Sequence, residues 1–322
     1  MPNVNASKLA SLEMPLAPLA EQRRIVAKLE KLLGQVDACQ QRLEKLPTRL
    51  KRFRQSVLAA ACSGRLTADW REENQNVESA RFLVKRLDEQ AEFLESDELP
   101  STWTRCQLKS LTSLITKGAS PKWQGINYAV SGVLFVTSEN VGNGEMLIGQ
   151  KKFVEPKINE IQPRSVLKKG DLLTNLVGAS IGRSAIYELD EVANTNQAVG
   201  IIRLKPGVEN RYLLHVLNSP VLVDHIHAEK VDVARANVSL ADVRDFPIPI
   251  APLAEQQEIV RRVAGLFALA DQLELRLAQA RGQVAKLTPS LLARAFAGHL
   301  VPQNPADEPA EKLLERIKKE LP

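Results

Sequence analysis

The sequence holds little of what catalytic or secreted frameworks are built from. It has three cysteines, Cys39, Cys62 and Cys106, and none form a C-x-x-C pair. An odd count without that spacing argues against a disulfide framework and fits a reducing compartment, so a cytoplasmic location is expected. The four histidines, His215, His225, His227 and His299, form no ligand set. His225 and His227 are two apart, which could place them on one face of a strand, but no third ligand follows at metal spacing. No G-x-x-x-x-G-K-[ST] loop is present: Gly178 to Ser184 has the wrong spacing and no lysine. No dinucleotide or methyl-donor fingerprint follows a strand. ATP-driven work, a metal centre, a cofactor and catalysis by this chain alone are therefore not expected. No apolar run reaches membrane-spanning length, and Met1-Pro2-Asn3-Val4 begins no signal peptide.

Aromatic residues are also scarce, at 4 %, although apolar residues make up 44 % of the 322. Long helices packed through Leu, Val and Ala would reconcile the two figures. The net charge of +5 permits a polyanionic partner without requiring one. It is unevenly spread. Residues 18–66 carry eleven Lys and Arg against four acids, while 67–100 are acidic, with Glu72, Glu73, Glu89, Glu92, Glu95, Asp97 and Glu98.

An internal repeat organises the chain. Pro15-Leu16-Ala17-Pro18-Leu19-Ala20-Glu21-Gln22 returns 234 residues later as Pro249-Ile250-Ala251-Pro252-Leu253-Ala254-Glu255-Gln256. The match runs without a gap to Gly64-Arg65-Leu66 and Gly298-His299-Leu300, with about a third of the positions identical. Upstream, Asn3-Val4 meets Asn237-Val238. Each copy reads as one long helix. Pro18 and Pro252 suit the first turn, Glu21 and Glu255 oppose the helix dipole, and Gly64 and Gly298 suit the left-handed residue past the end. The first apolar stripe runs Ile25, Leu29, Leu32, Val36, Cys39, Leu43, Leu46, Leu50, Phe53, Val57 and Ala60. The second runs Ile259, Val263, Leu266, Ala270, Leu273, Leu277, Ala280, Val284, Leu287 and Leu291, with Arg294 breaking it. Steps of four and three predict a left-handed coiled coil of roughly 65 Å, formed within the chain or in a dimer; within the chain the pairing is antiparallel, because the intervening domain must return the chain to the second helix's start. The expected seam residues are Leu29, Leu32, Leu43, Leu46, Leu50, Val263, Leu266, Leu273, Leu277 and Leu287. Pro47 should kink or open the first helix; Gly282 and Pro289 are breakers in the second.

The expected organisation is α+β. Residues 1–16 are the end of a preceding domain, 17–66 the first helix, and 67–100 an acidic connector with a helical stretch around Ala80 to Leu94. Residues 101–250 form a globular domain, 251–300 the second helix, and 301–322 a charged amphipathic tail. Within 101–250, Val133 to Thr137, Ser184 to Tyr187 and Ala198 to Leu204 are β-prone; Lys169-Gly170-Asp171 is a turn feeding a strand, and Asn210 to Asn218 is a helix. By the offset, a first domain of roughly 130 residues would precede the first helix.

On these residues the chain resembles the specificity (S) subunits of type I restriction-modification systems. The resemblance rests on Pro-Leu-Ala-Glu-Gln with Ile-Val at 18–26 and 252–260, and on Leu99-Pro100-Ser101-Thr102-Trp103. Further matches are Lys117-Gly118, Gly170-Asp171-Leu172-Leu173, Gly178-Ala179-Ser180-Ile181-Gly182-Arg183, Asn196-Gln197 and Val238-Ser239-Leu240-Ala241-Asp242-Val243. It implies two target-recognition domains in a full subunit, each reading half of a bipartite DNA site. It also implies conserved helices that set the spacing and bind methyltransferase (M) subunits, with restriction (R) subunits joining the complex. This sequence departs by having one such domain with both helices. Two copies could pair as a homodimer and read a palindromic split site.

Reading double-stranded DNA needs cations on phosphates and polar groups on base edges. Three segments offer such mixtures in turn-rich sequence: 117–124, 178–184 and 230–237. The candidates are Lys117, Ser120, Lys122, Gln124, Ser180, Arg183, Lys230, Arg235 and Asn237. Each could equally lie in an ordinary solvated loop, and Asn196 and Gln197 could simply satisfy backbone groups. The basic stretch Arg49, Lys51, Arg52 and Arg54 could face phosphate, a partner or only water. The alternative to DNA recognition is a coiled-coil adaptor whose middle domain binds protein.

Overall fold

The computed structural model describes residues 11, 13–96, 98–233 and 237–320, with the side chains of 227–233 and Glu320 outside that set. The chain divides into two compact units, Met1–Lys51 with Ala270–Pro322, and Arg52–Leu269. In chain order the elements are α1 (Leu19–Cys62), α2 (Ala68–Glu73), α3 (Ala80–Leu87), β1 (Phe93–Leu94), β2 (Thr104–Gln107), β3 (Thr112–Lys117), β4 (Tyr128–Ala129), β5 (Val133–Val136) and β6 (Phe153–Val154). Then follow α4 (Ile158–Ile161), β7 (Leu172–Asn175), β8 (Ser184–Ile186), β9 (Ala193–Thr195), β10 (Val199–Leu204), α5 (Asn210–Leu217), α6 (Pro220–Val233), α7 (Leu240–Asp245), β11 (Pro247–Ile250), α8 (Leu253–Phe296) and α9 (Ala310–Glu320).

The two long helices begin identically. Gln22 donates from its backbone to Pro18 O at 2.9 Å and from its side chain to Ala17 O at 2.7 Å. Gln256 repeats both bonds to Pro252 O and Ala251 O, at 2.9 and 2.8 Å. Both helices end before a left-handed glycine, Gly64 (φ 76°) and Gly298 (φ 71°). A Cβ on Gly64 would also lie 2.5 Å from Pro100 Cγ, so no other residue fits there.

In the unit holding residues 1–51 and 270–322, α1 and α8 run antiparallel: Arg281 meets Leu43, and Arg24 pairs with Asp307 beyond the end of α8. α1 is not opened at Pro47; the helix is continuous through it. Pro47 lacks the N–H that would serve the carbonyl of Leu43, and Arg281 Nη2 donates to that oxygen at 3.1 Å. The partner helix thus satisfies the acceptor the proline frees. Gly282 and Pro289 likewise lie inside α8.

The seam is narrower than the heptads suggest. Ala270, Leu277 and Val284, spaced by seven, are at most 9 % exposed. Leu273 and Leu287, expected in the seam, are 41 % and 45 % exposed, and Cys39 is exposed too. In α8 the heptad position of Ala270, Leu277 and Val284 is central and the alternate one, Leu273 and Leu287, lies on the flank. Leu29, Leu32, Leu43, Leu46, Leu50 and Leu266 are half-buried, and Val263 is fully buried.

In the unit of residues 52–269, three sheets pack with the remaining helices. Their orders are β1-β2-β11, β3-β10-β7-β8 and β4-β6-β5-β9, and all pairs are antiparallel except β5 with β9. The β3-β10-β7-β8 sheet is covered on both faces. Leu172 and Ile202 point into a core shared with Leu213 and Leu217 of α5 and with Val57, Ile259 and Val263 of the long helices. Leu173, Val199 and Ile201 point the other way, towards Leu134 and Val136 of β5. Successive strand side chains face opposite sides, so two covered faces produce the continuous apolar runs seen in the sequence. The connector differs from expectation: α3 stops at Leu87, and Phe93 and Leu94 form a strand paired to β2.

Glu255, in the first turn of α8, is fully buried. It accepts from Thr67 Oγ1 at 2.7 Å, from Trp103 Nε1 at 2.8 Å and from the guanidinium of Arg71. A buried carboxylate is tolerated only with such partners. Burial pushes the Cys62 and Cys106 thiols up to about 12, so both stay protonated and unreactive.

Candidate nucleic-acid interface

One end of the β3-β10-β7-β8 sheet gathers loops from distant parts of the sequence. Lys117, the last residue of β3, pairs with Gly200, and Asn175, the last residue of β7, pairs with Val199. Leu176 N then bonds Ala198 O at 2.8 Å, Val238 N bonds Leu176 O at 2.9 Å, and Val177 bridges to Asn237. The 178–183 turn closes on the same point: Asn175 N donates to Arg183 O at 2.9 Å and Gly182 N to Asn175 O at 3.0 Å. Gly178 and Gly182 have φ of 76° and 82°, which fits a tight turn. Gly118 is forced by close approach, since a Cβ there would lie 1.7 Å from Thr195 O.

Lys117, Arg183 and Asn237 are thereby brought together, and all three are exposed. Ser180 joins them but is half-buried, and its hydroxyl accepts from Asn175 Nδ2 at 3.1 Å. Ser120 precedes a single turn of 3-10 helix over Pro121–Gln124, which exposes Lys122 and half-buries Gln124. That turn rests through Ile126 on Phe135, Val154 and Ile158, a small core of its own. Asn196 Oδ1 accepts from Ala198 N at 3.1 Å, a local backbone role. Trp123, which sequence reasoning missed as a site residue, is 76 % exposed beside Lys122; the only sequence signal was an aromatic inside a polar turn.

Within the segment 230–237, residues 230–233 are helical rather than a turn. α6 continues to Val233, which also places His225 and His227 on a helix rather than a strand. The Lys230 side chain and all of Arg235 lie outside the described residues.

Among the described residues, Lys117, Lys122 and Arg183 make no ion pair. Several basic side chains elsewhere on the same body are paired with acids: Lys169 with Asp190, Lys152 with Glu139, Lys151 with Glu191 and Arg211 with Glu188. Unpaired cations on two segments, 117–124 and 178–184, give a local positive field suited to phosphates. No group of three or more His, Cys, Asp or Glu among the described residues could hold a metal ion. No helix among them is long and apolar enough to cross a membrane.

Comparison with known proteins fits this arrangement. Residues 100–279 match the model of the type I restriction modification DNA specificity domain. The chain is 34 % identical to the EcoBI specificity subunit of Escherichia coli over 99 % of its own length and 66 % of that protein. It is 31 % identical to the EcoKI specificity subunit of Escherichia coli strain K12, again over 99 % and 66 %. It thus spans just under two thirds of these relatives. Among solved structures, the HsdS subunit from Thermoanaerobacter tengcongensis superposes with a TM-score of 0.56 at 21 % identity, over 93 % of this chain and 64 % of that one. A chain from a type I R-M system, solved in a study of complex assembly and conformational transition, gives a TM-score of 0.64 at 21 % identity, over 93 % and 65 %. Together, the repeated long helices, the α+β body between them and the matched domain show that the chain belongs to the type I restriction-modification specificity family.

Proposed function

We propose that the chain is the non-catalytic, sequence-reading subunit of a type I restriction-modification complex. The body at 101–250 would act as a target-recognition domain that reads one half of a bipartite site on double-stranded DNA. The paired helices would serve as spacer and as the docking surface for methyltransferase (M) subunits, through which restriction (R) subunits join. The observation that carries the reading is the convergence of unneutralised Lys117 and Arg183 with exposed Asn237 at one sheet end, with Lys122 unneutralised on an adjoining turn. The cations suit phosphates, and an exposed amide suits an adenine edge. Methyl transfer would belong to the M subunits. The test is methylation-site sequencing of DNA treated with the cognate M subunits, with and without this chain. A new methylated motif that appears only with the chain is expected; an unchanged pattern would defeat the reading.

A further inference from the structure

The chain has three tryptophans, and their surroundings differ sharply. Trp103 is 5 % exposed and donates its indole N–H to Glu255 at 2.8 Å, while Trp70 is half-buried. Trp123 is 76 % exposed. Its ring has no aromatic or cationic partner among the described residues. An aromatic side chain of this size covers about 200 Å² when it is buried, so water is a poor neighbour for it.

The ring stands on a turn that is fixed from below. Pro121 is buried and sets the backbone at the turn's first residue. Trp123 N donates to Ser120 O at 3.1 Å, Gly125 N to Lys122 O at 3.3 Å and Ile126 N to Pro121 O at 3.0 Å. Gly125 closes the turn at φ 67°, and Ile126 is buried with Val133, Phe135, Val154 and Ile158. A ring on so rigid a base loses little freedom when it binds. Its neighbours in the turn are Ser120, Lys122 and Gln124, and Lys122 is exposed without an ion pair among the described residues. Tyr128, the next exposed aromatic, is already held edge-on against Phe135 at 6.0 Å. A protein partner would need an apolar rim around the ring to exclude water. One flat ring beside an unpaired ammonium instead matches DNA, where flat base faces lie next to phosphates.

We propose that Trp123 is a wedge that enters the DNA between two adjacent base pairs, with Lys122 on a flanking phosphate. Inside the duplex the ring exchanges water for base faces and bends the DNA at that step. Separating the step costs least where a pyrimidine precedes a purine, so the wedge selects a deformable step without reading a base edge. The proposal rests on the DNA-reading function above and deepens it. It adds a contact that salt does not weaken to the salt-sensitive ones made by Lys117, Lys122 and Arg183.

The test uses the full chain with its cognate M subunits and a duplex that carries the motif returned by methylation sequencing. The duplex has a donor dye at one end and an acceptor at the other, so that bending raises energy transfer. Trp123→Ala is expected to weaken binding roughly tenfold to a hundredfold, the strength of one base–aromatic stack. It should lower energy transfer towards that of the free duplex, while the slope of log K against log salt stays at the parental value. Trp123→Phe keeps a ring and should recover most of both losses. The melting temperature of the free Trp123→Ala chain should equal that of the parent. Parental affinity and energy transfer in Trp123→Ala would overturn the proposal. So would weaker binding with unchanged energy transfer, which would place the ring in a groove. A salt slope reduced as in Lys122→Ala would make the ring a prop for the lysine, and a lower melting temperature would make it structural; either result also rejects the wedge. If no methylated motif depends on the chain, the proposed function fails and the wedge with it. A motif that depends on the chain but is indifferent to Trp123→Ala sinks the wedge alone.

Discussion

The two ends of the β3-β10-β7-β8 sheet are made by the same strands and are chemically opposite. At one end three basic side chains have an acid. Arg203 grips buried Asp171 with two bonds of 2.7 Å, Lys169 faces Asp190 and Arg211 faces Glu188. Asn210 at the head of α5 ties to Gly170 O at 2.7 Å. At the other end Lys117 and Arg183 face solvent without an acid among the described residues, above backbone bonds such as Leu176 N to Ala198 O and Asn175 N to Arg183 O. Charge neutralised within the fold contributes to stability; charge left over is available to a ligand. Position on the sheet therefore predicts which property a mutation changes.

The largest effect is expected at the neutralised end. Asp171→Ala strands the Arg203 guanidinium and the Lys168 N–H that bonds the same carboxylate, and should cost about 3–5 kcal/mol in urea unfolding. Equal stability to the parent would show that the pair is ornamental. Next comes acid sensitivity on α5. Burial, then Arg211, lowers the His215 pKa from 6.5 to about 4. The folded chain holds this imidazole neutral, so its contribution is intact above pH 6.5 and is lost as pH falls from 6.5 towards 4. His215→Phe should flatten the stability profile across that window relative to the parent, and identical profiles would refute the burial argument.

At the open end the pattern inverts. Arg183→Ala and Lys122→Ala should leave unfolding within about 0.5 kcal/mol of the parent. Each should weaken DNA binding and reduce the salt dependence of log K by about 0.9 for each phosphate no longer neutralised. A stability loss without a change in salt slope would make these loops structural. The smallest effect is reserved for Lys169→Ala, an exposed pair worth under about 1 kcal/mol, with no change in DNA affinity. A DNA defect there would erase the distinction between the ends.

Much of this was legible from sequence because it was local or periodic. The heptads, Pro18, Gly64 and their repeat 234 residues on set both long helices. Gly170-Asp171 announced the turn before β7. What failed depended on distant partners. Pro47 reads as a break until Arg281 is seen donating to Leu43 O. Phe93 and Leu94 continue a helical pattern until Cys106 and Arg105 pair with them as a strand. Leu273 and Leu287 satisfy the heptad but lie on the flank of a two-helix seam. Of the candidate site, the three segments could be named but not assembled. Lys117 and Arg183 are 66 positions apart, and only the register of β3 on β10 and of β10 on β7 gathers them.

The sequence by itself determined the duplicated helices, their matched starts and ends, and the family to which they point, since each follows from residue spacing and from short-range hydrogen bonding. The tertiary structure alone decided what holds each copy of the repeat. Glu21 and Glu255 occupy the same sequence context, yet Thr67, Trp103 and Arg71 donate to Glu255, whereas Glu21 lies beside the charge of Arg24. A buried carboxylate is stabilised by the donors that reach it through space, and those come from segments that no local pattern specifies.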